Sequence, residues 1–128
     1  MSMYILDDQH KPVKVDDMNE WADYKRPHVA LTKRYGHRVS TVFLGLDHNF
    51  GHRTQPVLFE TMIFGPWYES QGEYQERCST WNQAVLMHKE ALEQLDIMKY
   101  LMTKSRTIGR VKTRRLSSGK LALRFRTR

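Results

Sequence analysis

Two apolar runs separated by a polar gap constrain this chain more than any other feature. Residues 38–51 read RVSTVFLGLDHNFG and residues 56–65 read PVLFETMIFG, with HRTQ between them. Both runs are rich in β-branched and aromatic residues, and the loop between them is built on Asp47, His48, Asn49 and Gly51. That pattern predicts an antiparallel strand pair joined by a long loop. It carries most of the apolar mass that a small core needs. Val42, Leu44 and Leu46 share one face of the first strand, and Thr41, Phe43 and Gly45 share the other. Gly45 marks a bulge or the close approach of another backbone. In the second strand Val57, Phe59, Thr61 and Ile63 oppose Leu58, Glu60, Met62 and Phe64. One face is expected under helices. The other is too apolar to be simply wet, which predicts a subunit interface or a pocket and a homo-oligomer.

The flanking chain supplies the other elements. Residues 3–6 read as a short strand that residues 13–15 resume after a turn at Asp7, Asp8 and Pro12. Asp16 or Asp17 caps a helix over residues 18–24, with Glu20 at capping-box spacing and Met18, Trp21 and Ala22 as its buried stripe. Pro27 ends it. Residues 28–35 alternate as a strand, and Gly36-His37 is a tight-turn signal leading into the first long run. Gly65-Pro66 ends the second run. A loop bearing Trp67 and Tyr68 follows, then a short strand over residues 74–78. Ser79-Thr80 caps an amphipathic helix whose stripe is Trp81, Ala84, Val85, His88, Leu92 and Leu95. The periodicity extends through Met98, Leu101 and Met102 and leaves open whether one helix continues to Lys104 or breaks near Asp96. The fold class is therefore α+β: a small antiparallel sheet of about four strands, with the Trp21 and Trp81 helices packed on one face. A basic C-terminal hairpin or extension completes it.

At 128 residues the chain is one domain's length, divided into a compact core over residues 1–98 and an extension over residues 99–128. The net charge of +7 is unevenly spread. Residues 1–98 hold 10 Lys/Arg against 14 Asp/Glu, whereas residues 99–128 hold 11 Lys/Arg and no acid. A basic segment of this kind points to an anionic partner. Within it Leu121, Leu123 and Phe125 alternate with Ala122, Arg124 and Arg126 around a Ser-Ser-Gly turn, the pattern of a hairpin. No run is long and apolar enough to span a membrane. No secretory signal is read in MSMYILDDQH. The single cysteine, Cys78, excludes an intrachain disulfide and a Cys-rich zinc site, and with the previous point it fits a cytosolic protein.

Three groupings bear on chemistry. Asp47, His48 and His52 with Glu60 offer carboxylate and imidazole, the parts of a metal-dependent hydrolase, but at no spacing that fixes two ligands on one element; turn-forming Asp47 and Asn49 with surface histidines is the competing account. Glu60 sits mid-strand. It is either exposed, paired with Arg38, or a carboxylate lining a pocket. Cys78 with His88 is a nucleophile pair in kind, but lacks a readable orienting group, and His88 lies on the apolar stripe as a core histidine would. The third grouping is the basic segment, where Arg110, Arg114, Arg115 and Arg124 are candidate phosphate contacts and Trp67 and Tyr68 candidate stacking platforms. No phosphate loop, dinucleotide fingerprint or catalytic triad is present, so neither a catalytic residue nor a metal nor a cofactor is expected.

The phrases RVSTVFLGLDHNFG, LFETMIFG and CSTWNQAVLMHKEAL together resemble a family of small proteins common in bacteriophages and prophages, in which a VSTVFLGLDH strand, an LFETM strand and a YSTW-type helix start recur in this order. The resemblance covers about residues 21–91. Cys78 stands where that family usually has Tyr, and the basic segment after Asp96 looks like an addition. By size and setting such a protein is similar in kind to phage anti-defence proteins, which act in the host cytoplasm. Two functions are expected on that analogy. The first is a non-enzymatic binding protein that sequesters an anionic nucleotide-type immune signal, as the Thoeris and cyclic-oligonucleotide sponges do. The second is a nucleic-acid- or nucleoprotein-binding inhibitor of a host defence complex, as anti-CRISPR proteins are.

Overall fold

The computed structural model describes residues 1–50, 54–69, 74–108, 111–115 and 121–125, with side chains as far as Lys104. In chain order the elements are β1 (Met3–Leu6), β2 (Pro12–Val15), α1 (Met18–Asp23), β3 (His28–Arg34), β4 (His37–Phe43), β5 (Phe59–Phe64), α2 (Pro66–Glu69), β6 (Tyr74–Cys78), α3 (Trp81–Ile108), β7 (Val111–Arg115) and β8 (Leu121–Phe125). The fold is α+β. Its centre is an antiparallel sheet in the order β3-β4-β5-β6.

The two long apolar runs form the middle of this sheet as β4 and β5. The register pairs Phe43 with Phe59, Thr41 with Thr61 and Val39 with Ile63, so these six side chains share one face. All six are buried. The β3–β4 turn is Tyr35-Gly36, one residue earlier than the sequence suggests. Both residues have positive φ (53° and 72°), the requirement of the two-residue turn that matches strand twist. The opposite face of the sheet carries Leu31, Arg38, Val42, Glu60, Met62 and Phe64, none of them buried.

Helix α3 crosses the inner face as one unbroken run of 28 residues, so the helix does not break near Asp96. Its start is a reciprocal capping box: Gln83 N–H donates to Thr80 Oγ1, while Gln83 Oε1 accepts from the amides of Ser79 and Thr80. Ala84, Met87, His88, Ala91, Leu95, Met98 and Leu101 are buried along it. Val85, read as part of the stripe, is 50% exposed. It lies one position off the contact line.

The second helix does not pack as the sequence suggests. α1 buries no residue, and Met18 is 68% exposed. It lies against the β1–β2 hairpin, and its Trp21 Nε1 donates to the Gly45 carbonyl at 3.0 Å. Asp17 caps it, accepting from the Asn19 amide. Gly45 is the close-approach point that the sequence marks: its carbonyl also accepts from the Tyr4 amide at 2.8 Å. Its φ is +76°, and a Cβ there would stand 2.7 Å from Arg26 Nε. The turn between β1 and β2 is tied by Asp7, which accepts from the amides of Lys11 and Gln9; these two bonds hold its carboxyl below the usual range. His10 in that turn stacks on Trp81 with ring centroids 3.8 Å apart.

Beyond α3 the backbone of β7 and β8 pairs antiparallel, Thr113 opposite Leu123. Among the described residues no helix is long and apolar enough to cross a membrane.

Candidate functional site

The Trp67–Tyr68 pair is placed by a sharp reversal at Gly65. Residues 66–69, expected as loop, form one helical turn that rolls Tyr68 inward. Tyr68 is 3% exposed and belongs to the core with Val39, Ile63, Tyr74, Leu95 and Met98. It presents no open face to a base. Trp67 is half-buried. His37 lies 4.3 Å from it between centroids and Tyr35 lies 6.1 Å away. His37, which the sequence marks only as half of a turn signal, is 2% exposed. Its Nδ1–H donates to the Tyr35 carbonyl at 2.8 Å, and its Nε2 accepts from the Trp67 amide at 3.1 Å. Those partners fix the tautomer, because a carbonyl can only accept and an amide can only donate. The locked ring leaves no room beside Gly65, where a Cβ would overlap it. Gly65→Ala is expected to cost about 2–3 kcal/mol, as other overpacked sites do, measured by urea unfolding.

His88 is a satisfied core histidine. It is 6% exposed, with Nδ1 2.7 Å from Thr41 Oγ1 and Nε2 2.9 Å from Thr32 Oγ1. Thr41 in turn meets Thr61 Oγ1 at 2.5 Å. One helix residue thus ties three strands through a line of hydroxyls. Burial lowers the His88 pKa. With both ring nitrogens engaged by threonines, the ring is not paired with Cys78. That thiol is 9% exposed and donates to the Thr80 carbonyl at 3.7 Å.

The Asp47 loop is built of turn bonds. Asp47 Oδ1 accepts from the amides of Asn49 (2.8 Å) and Val57 (2.9 Å), closing the long β4–β5 connection. His48 Nδ1 donates to the Leu46 carbonyl at 2.8 Å. His52 lies outside the described residues. Among the described residues no three His, Cys, Asp or Glu side chains are gathered as a metal would need. Glu60 is paired, but with Arg77 rather than Arg38: the register sets Arg77 directly opposite it, and Nε reaches Oε2 at 2.8 Å. Gln75 donates to the same oxygen at 2.7 Å. Arg38 instead covers the Phe64 ring at 4.8 Å.

A cleft of about 570 Å³ opens between β6 and the first turns of α3, lined by Glu76, Cys78, Gln83, Leu86, Met87 and Glu90, among others. Sequence reading did not find it. Its one signal is Leu86, an apolar residue off the helix stripe and 55% exposed. Tyr74 on β6 is fully buried; burial pushes its hydroxyl far above the usual range, with Glu76, Tyr68 and Glu90 adding to the shift.

Of the candidate phosphate contacts, Arg110 lies outside the described residues. Arg114, Arg115 and Arg124 lie on β7 and β8, and their side chains are outside the described set. Neither a family model, nor a curated protein, nor a solved structure matches this chain.

Proposed function

We propose that this is a non-enzymatic, polyanion-binding protein that grips a nucleic-acid backbone with its basic C-terminal segment. The observation that carries the reading is charge segregation: residues 99–128 hold 11 Lys/Arg and no acid, while the preceding 98 residues carry all 14 acids. Such a segment gains affinity by releasing condensed counterions, and arginine adds paired hydrogen bonds to phosphate. In the phage setting that the resemblance implies, the protein acts as an inhibitor of a host nucleoprotein defence complex.

The alternative, a sponge for a small nucleotide signal, draws less support. It assigns base stacking to Trp67 or Tyr68. Tyr68 is buried in the core and Trp67 already lies against His37 and Tyr35. A nucleotide read without a stacking platform depends on phosphate contacts alone, and a long backbone supplies more of those than a two-phosphate ring does.

The test is fluorescence anisotropy with labelled single- and double-stranded oligonucleotides and a panel of cyclic nucleotides. The full chain is expected to bind the oligonucleotides, and a chain lacking residues 106–128 to lose that binding entirely. Binding that survives the deletion refutes the role of the segment. Stoichiometric capture of a cyclic nucleotide by a chain that ignores oligonucleotides restores the sponge.

A further inference from the structure

The outer face of the main sheet stays open. Leu31 is 52% exposed and Phe64 41%, and Lys33 and Arg38 are exposed beside them. Strand pairing orders these residues in rows. One row runs Lys33, Arg38, Phe64 across β3, β4 and β5, and the next runs Leu31, Ser40, Met62. An antiparallel sheet that faces water usually turns polar residues to it. This face instead sets a cation row with an aromatic end beside an apolar row.

Two features of the first row point to an anionic ligand. Lys33 stands directly opposite Arg38, and like charges in that relation repel. Among the described residues neither cation forms an ion pair, and Glu60, the acid on this face, is held by Arg77 and Gln75. An anion laid over the pair relieves the repulsion. The second feature is that the Arg38 guanidinium covers part of the Phe64 ring, 4.8 Å from its centroid. Stacking engages the face of a guanidinium and leaves the N–H donors in its plane for phosphate. The exposed part of the ring offers a base a π-surface.

The chemistry selects one occupant. Single strands are held on sheets and grooves by cations on their phosphates and aromatic rings under their splayed bases. A duplex keeps its bases stacked inside and gives Phe64 nothing to hold. A lone nucleotide needs a pocket that encloses most of its surface, and this face is open. A second copy of the chain brings the same two cations to meet an acid that Arg77 already engages. We propose that the outer sheet face binds single-stranded nucleic acid, with a base stacked on Phe64, phosphates on Arg38 and Lys33, and Leu31 and Met62 as the apolar floor beside them. This rests on the reading of the chain as a polyanion binder and adds base contact to the backbone grip of the C-terminal segment.

The experiment is fluorescence anisotropy of the full-length protein with oligo(dT), oligo(U) and a duplex of equal length, joined to ultraviolet crosslinking of the bound single strand and mass spectrometry of the peptides. A crosslink is expected on β5 at Phe64, and the tighter of the two single strands names the sugar. Phe64→Leu keeps apolar bulk at an exposed position and removes the flat ring. It is expected to weaken single-strand binding about tenfold more than duplex binding. Phe64→Tyr keeps the stack and is expected to keep the affinity. Arg38→Gln is expected to reduce the salt slope on single strands by about one contact's worth. Circular dichroism verifies the fold of each variant. Crosslinks confined to residues 99–128, with Phe64→Leu binding as the wild type does, overturn the inference and leave the C-terminal grip standing. A retained Phe64 crosslink in a chain indifferent to Arg114→Gln and Arg115→Gln supports this face and removes the C-terminal grip. Equal losses on single strand and duplex overturn the stacking role. A chain that binds no oligonucleotide overturns both readings. A dimer seen by light scattering that Phe64→Leu dissociates overturns the inference by assigning the face to a second copy.

Discussion

Replacing His88 by alanine is expected to lower the unfolding free energy by about 3–5 kcal/mol, among the largest single-residue effects in the chain. Two terms combine. The side chain fills space between the inner sheet face and α3, and deleting a buried group of that size leaves a cavity that the surroundings close only in part. It also strands Thr32 Oγ1 and Thr41 Oγ1, each of which has a ring nitrogen within 2.9 Å. Thr41 retains Thr61, so its loss is partial. His88→Leu with Thr41→Val is expected to cost less than the sum of the two changes, because removing both partners leaves fewer hydroxyls unpaired. Urea titration of the three variants checks the coupling. Strict additivity would sink the account of a shared network.

The same residue predicts a pH dependence. Burial lowers the His88 pKa in the folded chain, whereas in the unfolded chain it titrates near its ordinary value of about 6.5. Between the two values the unfolded state binds more protons, so stability rises with pH there. The contribution is complete above about pH 6.5 and is lost as pH falls toward the lowered folded value. His88→Leu is expected to remove this component of the slope. A wild-type urea midpoint unchanged as pH drops through that window would take His88 out of the argument.

Much of the fold was legible because its decisive residues obey simple periods. The alternation of Val39, Thr41 and Phe43, matched by Phe59, Thr61 and Ile63, marks an inner face in both long runs and leaves only their register to be found. The errors have specific causes. Met18, Trp21 and Ala22 fall at the spacing of a buried stripe, but α1 leans on a two-stranded hairpin, and Met18 and Ala22 stay exposed while the Trp21 indole reaches the Gly45 carbonyl. Val85 differs from Ala84 by one position of helix rotation, finer than a periodic pattern resolves. Glu60 and Arg38 carry opposite charges in the same strand pair. Cross-strand register decides the matter, setting Phe64 opposite Arg38 and Arg77 opposite Glu60. Tyr68 read as a loop aromatic, since nothing local says that the chain turns helically after Gly65 and rolls that ring inward. The cleft beside β6 had almost no signature, because it is made by two elements meeting. The basic segment is the reverse case: its chemistry is plain in the residues, and its geometry is not.

Oligonucleotide affinity is expected to fall by about 10³–10⁵ between 50 and 200 mM salt if six to ten of the 11 cations beyond residue 98 sit on phosphates. The argument is one of counting. Each phosphate neutralised releases condensed counterion, and the slope of log K against log salt is about −0.9 per contact on duplex and about −0.7 on single strands. A pocket that holds a cyclic nucleotide engages two or three phosphates and has no comparable counterion atmosphere to release, so its salt slope is shallow. The two functions therefore differ in slope even where affinities coincide. Neutralising variants sharpen the distinction. Arg114→Gln and Arg115→Gln are each expected to reduce the slope by about one contact's worth and to weaken binding evenly across sequences, because backbone contacts position a protein without reading bases. A change in sequence preference on either substitution would instead assign that arginine to a base edge. A slope near zero with affinity intact would replace the backbone grip by a closed pocket.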